Sequence, residues 1–185
     1  MHADALSLTN PPPLRAAAMA LIVHPADTKS ADDPRTLMLS PTDTADTANP
    51  TEPSHNFRLP AGPLLEGEPP STAVARTVRT ETGLEVSPTR LLVLDWIPPT
   101  GTAPAGIEFV YAMAPLTDEV EIRLPGLSDS KEPAFLSHKW VPATQLDDHC
   151  MPHQERQLRA ALAALINGDV TELHYGEPAC TTTTP

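Results

Sequence analysis

Cysteine is nearly absent: Cys150 and Cys180 are the only two, too few for a disulfide framework, and Cys180 sits in a Thr-rich tail. Basic residues are also scarce, with 12 Lys and Arg against 24 Asp and Glu and a net charge of −12. Such a surface repels phosphate backbones at long range, so no nucleic-acid partner is expected, although a cation or an arginine can reverse the sign inside one pocket. There is no long apolar run. The stretch from Ala16 to Val23 is too short to span a bilayer and follows a neutral-to-acidic start, Met1-His2-Ala3-Asp4. It reads as a buried strand, which gives the expectation of a cytoplasmic protein without a membrane partner. No glycine-rich phosphate loop of the P-loop or dinucleotide type occurs, and no Ser/His/Asp or Cys/His arrangement has a recognisable context.

What the chain has in excess is proline, 23 in 185 residues, a length that fits one core. The prolines punctuate it. Pro11-Pro12-Pro13 cannot supply donors to a sheet, so residues 1–13 are expected to be disordered and the domain to run over 14–176. Within it, 41–56 is a low-complexity loop of Pro, Thr, Asp and Ala, and 177–185 forms a disordered tail. Strands are expected at Leu14 to His24, Thr36 to Ser40, Leu91 to Ile97, Ile107 to Ala114, Val120 to Leu124 and Leu136 to Val141, the first two able to pair as a long-looped hairpin. One helix should start at Pro69-Pro70-Ser71, capped by Ser71 or Thr72, and stop at Gly83. The second carries Leu158, Ala161, Leu162, Leu165 and Ile166 at i, i+3, i+4 spacing, with Pro152 before it and Gly168 after. This order fits the α/β class, a mixed sheet covered by helices in an α/β/α sandwich.

The first helix and its preceding loop carry the specific signal. Gly62, Glu68, Arg76, Val78, Glu81, Gly83 and Leu84 stand at gapless fixed spacing, and positions 77, 80 and 81 fall in one helical sector where carboxylates would converge on a cation. Val74 and Val78 lie on a different face, available for burial. The segment from Leu59-Pro60-Ala61-Gly62 to Thr82-Gly83-Leu84 resembles the Nudix box, with Thr77 and Thr80 standing where that family usually has glutamates. A second likeness is Ser137-His138-Lys139-Trp140-Val141-Pro142 followed by Gln145-Leu146, where Ser137 replaces a frequent glutamate and His138 or Glu132 are the nearby alternatives.

The resemblance implies a Nudix-like fold and hydrolysis of a nucleoside diphosphate derivative or related phosphoanhydride, a small phosphorylated ligand. In the family such carboxylates hold Mg²⁺ or a similar ion. Mg²⁺ keeps several waters and can use one or two carboxylates, so Glu81 and Glu68 are the expected ligands for weak or substrate-dependent Mg²⁺ or Mn²⁺ binding. Arg76 would organise those carboxylates or meet phosphate, while Gly62 and Gly83 shape the backbone. With two glutamates replaced, the expected hydrolase is slow or altered, and the alternative is a non-catalytic ligand- or protein-binding domain. Asp147, Asp148, His149, Cys150 and His153 form the only other dense set of potential ligands, but acids leading into a helix are expected from its dipole alone. Trp96, Phe109, Tyr111 and Trp140 read mainly as core packing, with about one needed at a pocket.

Overall fold

The computed structural model describes residues 13–27, 32–42, 57–101, 103–117, 120–124 and 134–180. Strand β1, Arg15–Leu21, lies inside a mixed sheet, parallel to β5 (Gly106–Met113) and antiparallel to the three-residue β3 (Ala61–Pro63). β4 (Pro88–Ile97) pairs antiparallel with β5, and β7 (Thr171–His174) and β8 (Glu177–Pro178) complete the order β3-β1-β5-β4-β7-β8. A separate two-stranded sheet joins β2 (Arg35–Pro41) to β6 (Phe135–Pro142).

The period-2 alternation of β1 divides the core between two helices. Ala18, Ala20 and Ile22 pack with Ala73, Val74 and Val78 of α1 (Pro70–Thr82), whereas Met19 and Leu21 join Leu158, Ala161 and Leu162 of α2 (Pro152–Asn167). The alanines on the α1 side leave little bulk between helix and sheet, so the helix backbone rides close to β1. Burial of Val74 and Val78 stabilises this seat by about 1.5 kcal/mol or more each. Both helices end on a left-handed glycine, Gly83 at φ 72° and Gly168 at φ 88°, and the Arg90 guanidinium donates to the carbonyls of Ala164 and Leu165 at the end of α2.

Several expectations are corrected. β1 and β2 belong to different sheets, and the expected hairpin is reduced to a short antiparallel closure past the end of β1, the Val23 to Thr36 bridge with hydrogen bonds from Leu37 N to Ile22 O and from His24 N to Arg35 O. The α1 cap is Pro69, with no side-chain bond from Ser71 or Thr72: Pro70 has no N–H to satisfy, and Thr72 N and Ala73 N donate to Pro69 O. Residues 120–124 form no strand; Val120 and Ile122 instead cover the α1 cluster, and Arg123 N donates to Thr82 O. The sheet also continues past Gly176, since β8 at Glu177–Pro178 pairs back on β7. Residues 1–12, 43–56 and 181–185 of the segments expected to be irregular lie outside the described residues. Among the described residues no helix is long and apolar enough to cross a membrane.

Candidate functional site

Two arginine–glutamate clamps fasten α1 to the chain before it. At the N-terminal clamp, Arg76 Nε donates to Glu68 Oε1 at 2.8 Å and Nη2 to Oε2 at 2.7 Å, a bidentate pair. Arg76 Nη2 also donates to Pro63 O, and Leu65 N donates to Glu68 Oε2, so the pair fixes the turn from Pro63 to Glu68. The guanidinium holds the Glu68 carboxyl down to about 2. Both side chains bond to the loop before the helix.

At the C-terminal clamp, Glu81 Oε1 accepts from Arg58 Nη2 at 3.1 Å and Oε2 accepts from Ala61 N at 3.0 Å. Arg58 is itself held by donation to the carbonyls of Leu59 and Ala61 and by its position 4.8 Å over the Phe135 ring. The Glu81 side chain is only 14% exposed. Burial pushes its carboxyl above the ordinary range, opposed by Arg58 and the Ala61 N–H.

The three positions expected to share one opening part company. Thr77 is 3% exposed, its hydroxyl has no hydrogen-bond partner, and it packs against Gly62 so tightly that a Cβ there would lie 2.5 Å from Oγ1. Thr80 is exposed and donates its hydroxyl to Arg76 O. Only Glu81 offers a carboxylate, and a guanidinium already faces it. Among the described residues no three His, Cys, Asp or Glu side chains converge. This donor set does not fit Mg²⁺ or Mn²⁺.

Beside the box loop lies a cavity of about 300 Å³, bordered by Gly62, Ala61, Ala17, Ile97, Arg15 and Glu108. Behind it, Gln157 Nε2 donates to Glu108 Oε2 at 2.9 Å and to Asp95 Oδ2 at 3.1 Å, and Gly176 N also donates to Asp95. Burial raises both carboxyls. Sequence reasoning missed these residues and Arg58. Asp95 and Glu108 did leave a signal, as acids within otherwise apolar strands; Arg58, a single charge before a proline turn, left none.

The other candidates resolve simply. Cys150 is buried, donates its thiol to Met38 Sδ, and is pushed up to about 12 by burial, while His153 stacks on Tyr175, consistent with a structural reading of the 147–153 cluster. Trp140 packs edge-on to His24 and Trp96 is exposed. Ser137 and His138 are exposed on β6, and Glu132 lies outside the described residues.

The NUDIX domain family profile matches residues 23–162. Solved structures agree with that match. A MutT protein from Methanosarcina mazei is 18% identical with a TM-score of 0.59, covering 84% of this chain and 95% of its own. The NUDIX domain of Shewanella oneidensis NrtR, solved with ADP ribose, is 13% identical with a TM-score of 0.60, covering 89% and 99%. A C. elegans Ap4A hydrolase is 16% identical with a TM-score of 0.55, covering 84% and 99%. No curated protein gives a significant match. The chain belongs to the NUDIX domain family.

Proposed function

We propose that the chain binds a nucleoside diphosphate derivative or related phosphoanhydride and turns it over slowly at best, its metal-dependent step having gone with the carboxylates at 77 and 80. The observation that carries this reading is the state of the one remaining acid: Glu81 has both oxygens engaged, by Arg58 and by the Ala61 N–H. Membership of the NUDIX domain family, together with likeness to a domain solved with ADP ribose and to an Ap4A hydrolase, supports the ligand class. So does the cavity of about 300 Å³ next to Gly62, which is the size of a small-ligand site and combines apolar walls with Arg15 and Glu108 as polar handles. Glu68 and Arg76 serve the fold of the box loop in this reading.

Calorimetry with nucleoside diphosphate derivatives is expected to show binding, and phosphate release with Mg²⁺ or Mn²⁺ is expected to match that of Glu81→Gln. Rapid metal-dependent release abolished by Glu81→Gln would overturn it. That outcome is the second reading, a working Nudix-type hydrolase with Glu81 as its metal ligand, which the intact spacing of the box favours.

A further inference from the structure

The geometry points to Arg58 standing where a divalent cation would, so that Glu81 is committed to an internal ion pair and a phosphorylated ligand meets a resident guanidinium in place of a metal. The part of this that concerns the ligand rests on the binding reading above; the part that concerns the cation does not.

Three observations meet at this point. The first is place: Arg58 Nη2 reaches the only carboxylate on the 77, 80 and 81 sector of α1, at 3.1 Å. The second is fixation. Both carbonyl bonds of Arg58 come from Nη1, to Leu59 and Ala61, and its Cζ sits 4.8 Å from the centre of the Phe135 ring, so the guanidinium is held as part of the fold. The third is access, because the Arg58 side chain keeps 27% of its surface exposed, leaving an edge for an incoming oxygen.

Elementary electrostatics then decides against a metal. A lone carboxylate binds a hard divalent cation weakly, and the affinity depends on how many negative ligands converge. A fixed positive charge on the same carboxylate cancels its field and repels a second cation at close range. Threonines at 77 and 80 add no charge to offset this, and Thr77 is buried against Gly62. The same guanidinium suits phosphate oxygens, which it can meet by charge-assisted hydrogen bonds without any ion.

The test compares Mn²⁺ binding, followed by electron paramagnetic resonance, in Thr80→Glu and in Thr80→Glu combined with Arg58→Gln. A second carboxylate next to Glu81 makes a site worth measuring, and only Arg58 differs between the two proteins. Removing Arg58 is expected to tighten Mn²⁺ by about tenfold or more, the scale of one charge-assisted contact, and Glu81→Gln should abolish the gain. Equal Mn²⁺ affinity with and without Arg58 overturns the proposal. Arg58→Lys in the Thr80→Glu background keeps the charge and should keep Mn²⁺ out, which separates electrostatics from any loosening of the fold.

The ligand arm uses ADP as the probe, in EDTA, by calorimetry. ADP binding that persists in EDTA and weakens about tenfold in Arg58→Gln is expected. Binding that requires Mg²⁺, or that is indifferent to Arg58, overturns it. If no nucleoside diphosphate derivative binds under any condition, the ligand-binding reading falls, and the Mn²⁺ comparison still decides what Arg58 does.

Discussion

Helix α1 is fastened at both ends by an arginine and a glutamate, yet the two clamps do different things. Arg76 and Glu68 fix the path of the loop from Pro63 to Glu68 through a bidentate pair and a bond to Pro63 O. Arg58 and Glu81 pair across the other end of the helix, and their pairing engages the one carboxylate among positions 77, 80 and 81. The comparison shows that such a motif has two separable layers. Residues that set the backbone (Gly62, Glu68, Arg76, Gly83) answer to sterics and local ion pairing, so they persist as long as the fold does. Residues that carry charge toward a ligand answer to the reaction, and in this chain the uncharged Thr77 and Thr80 stand on the same helix.

The sharpest way to break this comparison is to strike the architectural layer. Gly62→Ala should cost about 1–3 kcal/mol, the usual penalty of overpacking, because its Cβ would lie 2.5 Å from Thr77 Oγ1 and 3.2 Å from Thr77 Cγ2. Urea denaturation measures it, and adding Thr77→Ala should return a substantial part, since the two side chains compete for one space. An unchanged midpoint in the single variant would mean the loop is not pressed on the helix. A smaller loss, about 1 kcal/mol, is expected from Gly83→Ala, where φ is 72° and the new methyl would meet Arg123 Cβ at 3.2 Å. A Gly83→Asn variant, better suited to that conformation, should lose less.

The architectural layer was legible in the sequence because its signals are local. Gly83 as a helix stop and the prolines before α1 act over a few residues and appear where expected, whereas the apolar face expected on α2 is buried only at Leu158, Ala161 and Leu162, Leu165 and Ile166 standing exposed near the helix end. The misreadings involve contacts distant in sequence. β1 and β2 look like a hairpin from their spacing and do close as one at Val23 and Thr36, but the full length of β2 pairs with β6 about a hundred residues later, and nothing in either segment encodes that choice. Residues 120–124 have strand composition yet cover the α1 cluster as irregular chain. For the site, the sector geometry of positions 77, 80 and 81 was readable from helical period alone. That Thr77 would be buried, and that Arg58 would reach Glu81 across 23 residues of sequence, depends on how the loop folds back.

Acid sharpens the contrast between the clamps, because their carboxyls move in opposite directions. Glu68 is held at about 2, below its ordinary 4.5, so its clamp stabilises the fold above that ordinary value and the contribution disappears as pH falls toward 2. Asp27, held by Arg35 at about 2, adds in the same sense. Glu81, Asp95 and Glu108 are raised by burial, so protonating them on the way down from neutral pH favours the folded state. Thermal midpoints should therefore rise from neutral to mildly acidic pH and fall below it, and Glu68→Gln should flatten the fall while leaving the rise. A monotonic decline from neutral pH would contradict the raised values.

The smallest effect expected carries the most information about the altered layer. Thr77 has a buried hydroxyl with no partner, whereas the Thr80 hydroxyl is exposed and bonded to Arg76 O. An unpartnered buried polar group costs stability, and a methyl of similar size removes that cost. Thr77→Val should accordingly leave stability unchanged or raise it by up to about 1 kcal/mol, while Thr80→Val should shift it by about 0.5 kcal/mol or less. Equilibrium denaturation of both variants side by side resolves the difference. If Thr77→Val instead destabilises by about 1 kcal/mol or more, the hydroxyl has a partner in solution, and position 77 remains polar because something there binds it.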